Sequence, residues 1–294
     1  MDKNSIFTNN GADVLRENVA ELYGRAERSL EQIDISIELL VDRLYEQMGK
    51  DELDSIYAEV CASSLGLTIA RKMLVCQRLC KLIGDADVVN EHGVFGEAEL
   101  LDSAAEGRVA YVKNRRNDDA YLAFAKSIKG ARAEYVSSFQ DACEAAADGG
   151  CEYCIIPIEN DADGKLYSFY RLLDRYGLKI HEITRASSED GTQGIVFALV
   201  SASIKPYLRG KENKRFEFSV VGEGADFVCD VLSAVSAIGA RLYSVATLPV
   251  RYDEKSCRCY FSADVEPKQL LPLALYLSLE FHGYTALGLY QAEK

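Results

Sequence analysis

Apolar residues recur at spacings of three and four from Leu15 through Val19, Leu22, Ala26, Leu30, Ile33, Ile37 and Leu40 to Leu44, with Glu and Arg between them. That period predicts one long amphipathic helix with a continuous apolar stripe. Gly49 ends it, and Asp51 and Glu52 open a second periodic stretch through Leu53, Ile56, Val60, Leu67, Leu74 and Leu82. Residues 10–84 therefore read as an all-α unit whose stripe asks for a partner surface, as in a dimerising helical hairpin. Residues 85–107 are polar, rich in Gly, Ala and Glu, and weakly periodic, which predicts a linker.

From residue 108 the period changes. A strand at Val109–Val112, a helix from Asp119 to Ile128, a strand at Ala133–Val136, a helix from Ser138 to Ala147 and the apolar strand Cys154–Ile158 follow one another. This is βαβ logic and predicts a largely parallel sheet. A helix over 166–176 and strands over 178–184 and 194–200 complete a unit spanning 108–204.

The segment 213–292 has the clearest pattern. Phe216, Phe218 and Val220 alternate with polar residues, and a helix pattern runs through Phe227, Val231, Leu232, Val235 and Ile238 to Gly239. After a strand at 241–250, Cys257, Cys259, Phe261, Ala263 and Val265 alternate with Arg258, Tyr260, Ser262 and Asp264, which predicts one buried and one solvated face. A helix and a closing strand at 285–290 make the order βαββαβ, a ferredoxin-like plait. The fold class is α/β: an N-terminal all-α segment, a single βαβ-type lobe and a C-terminal plait.

Composition narrows the function classes. In 294 residues, 48% are hydrophobic and 27% charged, as in ordinary globular chains. The 33 basic and 46 acidic residues give a net charge of −13, which repels phosphate backbones and anionic lipid, so neither nucleic acid nor a membrane is an expected partner. The first ten residues hold no apolar leader core, and the longest near-apolar run, Leu270 to Leu279, contains Pro272 and is too short to span a bilayer. A cytoplasmic location follows as the expectation. The nine cysteines, an odd set placed mostly inside apolar patterns, predict free thiols in a reducing compartment. Cys151 and Cys154 form a C-x-x-C, but the only partner pair, Cys257 and Cys259, has the spacing of alternate strand positions and not of a zinc knuckle, so no metal is expected. His92, His181 and His282 are isolated from any nucleophile in sequence.

The strongest local signal is the strand end Ile155-Ile156-Pro157-Ile158-Glu159-Asn160, followed by Gly164 and by Leu172-Leu173. Polar side chains at the carboxyl end of a strand in an open α/β sheet sit where ligands bind. Asn160-Asp161-Ala162-Asp163-Gly164 is equally good turn chemistry. A calcium loop fits poorly, because its twelfth position is Tyr170 and not Glu.

The stretch Val109 to Leu173 resembles the first lobe of prephenate dehydratase, on Pro157-Ile158-Glu159-Asn160, the following Gly and the Leu-Leu helix. Residues 213–292 resemble the ACT regulatory domain of that family, and the helical residues 10–84 stand in the place of the chorismate mutase domain of the bifunctional P-protein. The resemblance implies a protein tied to L-phenylalanine biosynthesis, with no cofactor, a homodimer, and prephenate or an aromatic amino acid as ligand. It implies Asn160 and Glu159 as groups that position the ring and carboxylates of prephenate, Thr192 as proton donor to the departing hydroxyl, and Gln193 beside it. Arg115 and Arg116 stand where the family has a Gly- and hydroxyl-rich loop, and are read either as carboxylate ligands or as a solvated face. Gly224, Ala225, Thr247 and Pro249 stand at the family's regulatory ligand motifs.

The departures point away from turnover. The family's T-R-F motif is matched here by Thr192-Gln193-Gly194, and the 32 positions between Asn160 and Thr192 replace a whole second lobe. Three readings follow: a catalytically degenerate regulatory or amino-acid-sensing relative, a working dehydratase that converts prephenate to phenylpyruvate with loss of water and carbon dioxide, or a dimerising scaffold without enzymatic activity. The long helix supplies Arg16, Arg25, Arg28 and Arg43 but lacks the rest of a mutase's basic ring.

Overall fold

The computed structural model describes residues 7–63, 66–84, 95, 106–187, 194–204, 214–250 and 256–291, with side chains from residue 14 onward. The expected linker 85–107 falls almost wholly outside them, as do His92, Thr192 and Gln193. The chain forms two compact units, Met1–Leu82 and Ile83–Lys294.

The first unit holds α1 (Phe7–Met48), a 3-10 turn at Lys50–Glu52, α2 (Leu53–Ala62) and α3 (Ile69–Ile83). Gly49 stops α1 by taking φ +86°, a left-handed value open to glycine. The lower half of the α1 stripe is buried at Ile37 and Val41 with Leu53, Ile56, Val60, Met73, Val75 and Leu79. The upper half, Leu15, Val19, Leu22, Leu30 and Ile33, is exposed. Two ion pairs clamp α3 alongside α1: Arg71 Nε to Asp34 Oδ1 at 2.9 Å, and the fork of Arg78 on both oxygens of Asp42 at 2.6 Å each. Because residue numbers rise together along this ladder, α3 runs parallel to α1.

The second unit is one ten-stranded sheet with helices against it. Its elements are β1 (Arg108–Val112), α4 (Arg115–Phe124), β2 (Arg132–Val136), α5 (Phe139–Ala147), β3 (Tyr153–Asn160), β4 (Gly164–Lys165), α6 (Tyr167–Tyr176), β5 (Lys179–Ser187) and β6 (Gly194–Ser201). After them come β7 (Lys214–Glu223), α7 (Asp226–Ala237), β8 (Arg241–Pro249), β9 (Ser256–Val265), α8 (Pro267–Glu280) and β10 (Thr285–Gln291). The strand order is β2-β1-β3-β6-β5-β10-β7-β9-β8, with β4 folded back on β3.

The largely parallel sheet predicted from βαβ logic is corrected to a mixed one. Parallel pairing is confined to β2-β1-β3 and to β5-β10. The hairpin β5-β6 inserts antiparallel beside β3, so the strand following α6 does not lie next to the strand preceding it. The helix predicted from Asp119 to Ile128 starts earlier and ends earlier. Asn114 is extended and its side chain accepts from the Asn117 N–H at 2.9 Å, an N-cap that turns the polar run Arg115–Asp119 into the first turn of α4.

β7, α7, β8, β9, α8 and β10 form the expected βαββαβ order, with strands arranged β10-β7-β9-β8. This plait is not separate from the lobe, because β10 pairs with β5 at Gly288 and Ile180. A Cβ at Gly288 would meet Ile180 Cβ at 2.6 Å and Ile180 O at 2.9 Å, so only glycine permits the approach.

Alternation divides β3 between two cores. Ile155 joins Val109, Tyr111, Phe124, Phe197 and Leu199, whereas Ile156 joins Ala142, Cys143, Tyr170 and Leu173 on the side of α5 and α6. In the plait, Phe216, Phe218 and Phe261 stack on one face. The opposite face, predicted to be solvated, is buried: Glu217 is 1% exposed and Ser219 and Ser262 are fully enclosed.

Candidate functional site

Three places gather chemistry in the second unit: the strand edge after β3, the polar seam between lobe and plait, and a pocket at the far end of that seam.

At the strand edge, β1 and β3 run parallel and deliver Arg115, Arg116, Glu159 and Asn160 to the same border of the sheet. Arg115 is exposed and Arg116 half-buried in the first turn of α4. Asn160 is committed to its own loop. Its Oδ1 accepts from the N–H groups of Ala162 at 3.0 Å and Asp163 at 2.5 Å, and its Nδ2 donates to Asp163 Oδ2 at 2.9 Å. This is an Asx turn. Gly164, at φ +68°, then lets β4 fold back along β3.

The antiparallel pairing of Asn160 with Ile195 brings the start of β6 back to this edge across the 32 positions that separate Asn160 from Thr192 in sequence. Gly194, two positions after Thr192, donates its N–H to Asp161 Oδ2 at 2.6 Å, and Arg185 pairs with Asp161 Oδ1. The Gly194 hydrogen bond, and after it Arg185, hold the Asp161 carboxyl below the usual range. Arg185 lies across Gly194, where a Cβ would meet its Nε at 2.6 Å. Sequence reasoning missed both Asp161 and Arg185, because the arginine arrives from β5 and no local spacing announces it.

The seam is a hydrogen-bonded network on the polar face of the plait. Lys165, from β4, donates to Glu217 Oε1 at 2.8 Å and Oε2 at 2.9 Å, while Ser262 at 3.0 Å and Tyr290 at 2.7 Å donate to the same Oε1. Burial, then the Glu217 charge, pushes the Tyr290 and Tyr170 phenols well up, with Glu159 adding to the effect on Tyr170. Beside it, Asp174 of α6 accepts from Arg258 at 3.0 Å and from the Tyr260 hydroxyl at 2.5 Å. Lys179 is 6% exposed and donates to the Ala286 carbonyl at 2.5 Å. Burial draws its amine down to about 8, against a smaller opposing pull from Asp174.

The four residues at the regulatory motifs sit at one end of the plait. Gly224, at φ +71°, and Ala225 make the turn into α7, and Pro249 pairs with Cys257, itself opposite Gly222. Thr247 pairs with Cys259, and its Oγ1 lies 3.3 Å from that sulfur. Leu248, paired with Arg258, points to the other face. On that face a pocket of ≈ 290 Å³ is lined by Arg171, Asp174, Arg175, Leu248, Pro249, Val250, Arg258 and Tyr260.

His181 and Ser201 form a histidine–serine pair that sequence spacing does not reveal, with Nε2 and Oγ 2.6 Å apart. The serine is 2% exposed and donates to the Ser203 carbonyl, so it accepts from the imidazole and acts as a cross-strand tie between β5 and β6. The nine cysteines are free thiols, and Cys143, Cys151 and Cys154 are buried together. A hydrogen bond to Cys143, which the Cys154 thiol donates, and burial after it, push that thiol well up, which disfavours the reactive thiolate. Among the described residues no group of three or more His, Cys, Asp or Glu is arranged to hold a metal ion, and no helix is long and apolar enough to cross a membrane.

Among solved structures, the fold is similar to that of prephenate dehydratases. The enzyme from Streptococcus mutans superposes with a TM-score of 0.52 at 16% identity, over 64% of this chain and 99% of that one. The prephenate dehydratase from Arthrobacter aurescens, solved in complex with L-Phe, gives 0.51 at 11% identity over 63% and 90%. The quorum-quenching acylase GqqA gives 0.52 at 17% identity over 64% and 96%. No protein-family model matches the sequence, and no curated protein matches it. At these identities the likeness is one of fold.

Proposed function

We propose that this chain is a prephenate dehydratase-fold protein that has given up dehydration and serves aromatic amino-acid biosynthesis as a ligand-responsive regulator. The observation that carries the reading is the state of Asn160, whose amide is held by three hydrogen bonds inside its own turn. A side chain that positions substrate keeps donors or acceptors aimed at the substrate. The interval from Asn160 to Thr192 supports the same reading. Its described part is spent on β4, α6 and β5, elements of the single lobe, so it supplies no opposing wall from which water would be excluded.

The regulatory half of the proposal assigns the plait to an ACT-like role, with an aromatic amino acid near Gly224, Ala225, Thr247 and Pro249. The L-Phe complex of the Arthrobacter aurescens enzyme supports a ligand of this class for the fold. The seam gives the plait a means to act on the lobe, since Glu217 of the plait accepts both from Tyr290 of the plait and from Lys165 of the lobe. The exposed upper stripe of α1 supports assembly as a homodimer.

Calorimetric titration of the full chain with L-phenylalanine tests the regulatory half. Saturable binding that is weakened by Thr247→Val or by Gly224→Val, with the fold retained by circular dichroism, is the expected result. Heat no larger than dilution at millimolar ligand would overturn it.

A further inference from the structure

The pocket between α6 and the ends of β8 and β9 has a charge pattern that the reading above does not use. Three of its lining residues are arginines, Arg171, Arg175 and Arg258, and among the described residues that line it Asp174 is the only carboxylate. Three positive groups less one negative leave +2 on the described lining, in a chain whose net charge is −13. Asp174 is already occupied by Arg258 and the Tyr260 hydroxyl. Among the described residues, neither Arg171 nor Arg175 has a carboxylate partner. These two stand at i and i+4 on one face of α6 and reach the same pocket.

The opposite wall is apolar: Leu248, Pro249, Val250 and the ring of Tyr260. A volume of ≈ 290 Å³ lies at the lower limit of ligand sites, about 300–1,000 Å³, which suits a small molecule and not a peptide. Two forked guanidiniums facing an apolar wall match a planar carboxylate carried on an apolar body. An α-ammonium would face an excess of positive charge on the described lining, where Asp174 is already paired.

We propose that this pocket binds a small carboxylate with an aromatic or apolar body and no ammonium group, the chemical class of aryl-substituted 2-oxo, hydroxy and alkanoic acids. The site is distinct from the amino-acid site proposed above. Thr247 faces the other side of the sheet, Gly224 and Ala225 belong to the turn before α7, and Pro249 alone is shared. Either proposal can fail while the other holds.

The test is calorimetric titration of the full chain with 3-phenylpropanoate, L-phenylalanine and inorganic phosphate, repeated on Arg171→Met/Arg175→Met. Both arginines are exposed, so the double variant keeps its fold, which circular dichroism verifies. The expected result is binding of 3-phenylpropanoate that weakens at least about tenfold in the double variant, because charge-assisted hydrogen bonds are lost. Any L-phenylalanine binding is expected to be unchanged by the double substitution, and phosphate is expected not to displace 3-phenylpropanoate at equal concentration. The proposal is overturned by absence of 3-phenylpropanoate binding, by equal affinity in the double variant, by an L-phenylalanine affinity that falls with the two arginines, or by equal competition from phosphate.

Discussion

Lys165 Nζ lies 2.8 and 2.9 Å from the two carboxylate oxygens of Glu217, and the pair is enclosed, with side-chain exposures of 12% and 1%. One residue belongs to the lobe and the other to the plait, so the contact couples the two halves of the sheet. Removing one partner strands the other charge in a site with little water. Glu217→Met is therefore expected to lower unfolding stability by about 3–5 kcal/mol, and Lys165→Met/Glu217→Met to cost less than the two single changes, Lys165→Met and Glu217→Met, summed. Urea denaturation of the four proteins measures both effects.

Gly288→Ala probes the junction of lobe and plait. The new methyl would sit 2.6 Å from Ile180 Cβ and 2.9 Å from Ile180 O, and neither the Cβ nor the carbonyl can move without moving strand β5. A loss of about 1–3 kcal/mol or more is expected by thermal unfolding. Gly130→Ala, where nothing lies within 4 Å of the new Cβ, serves as a control for strain at φ +71° without a clash.

Lys179 gives a pH signature. Its folded value is lowered from 10.5 to about 8 by burial, so between those values the unfolded chain holds a proton that the folded chain does not. Stability from this group therefore rises with pH across that window, by up to about 3 kcal/mol, and is constant below it. Denaturation midpoints compared at pH 7.5 and pH 9.5 are expected to show the rise in the parent and to lack it in Lys179→Met.

Asn160→Ala removes the acceptor that organises the turn, whereas Asn160→Ser keeps a weaker one. A loss of about 1 kcal/mol is expected for the first and a smaller one for the second, with ligand binding unchanged in both. A large loss of ligand affinity with stability intact would show that the amide faces a ligand and not its own loop.

Most elements of the second unit were legible because their apolar periods are strong, as at Cys154–Ile158 and in the alternation of β9. Alternation reports which face is polar, however, and not which face is wet. Glu217, Ser219 and Ser262 read as solvated because the residues that cover and satisfy them, Lys165, Asp174, Tyr170 and Tyr290, come from distant parts of the chain. The polar run Arg115–Asp118 fell outside the predicted helix because the helix start is set by the Asn114 cap and not by apolar spacing. The arginine pocket was invisible for the same reason as the seam: Arg171 and Arg175 on α6 meet Arg258 only through the pairing of lobe and plait.

The measurement that bears most directly on the account is an assay for phenylpyruvate formed from prephenate by the purified full chain, beside Thr192→Ala and with and without L-phenylalanine. The account predicts no turnover above the uncatalysed rate in any arm, from a protein shown to be folded. Turnover by the parent that disappears in Thr192→Ala would contradict it, and would mean that a working cleft is completed by another subunit.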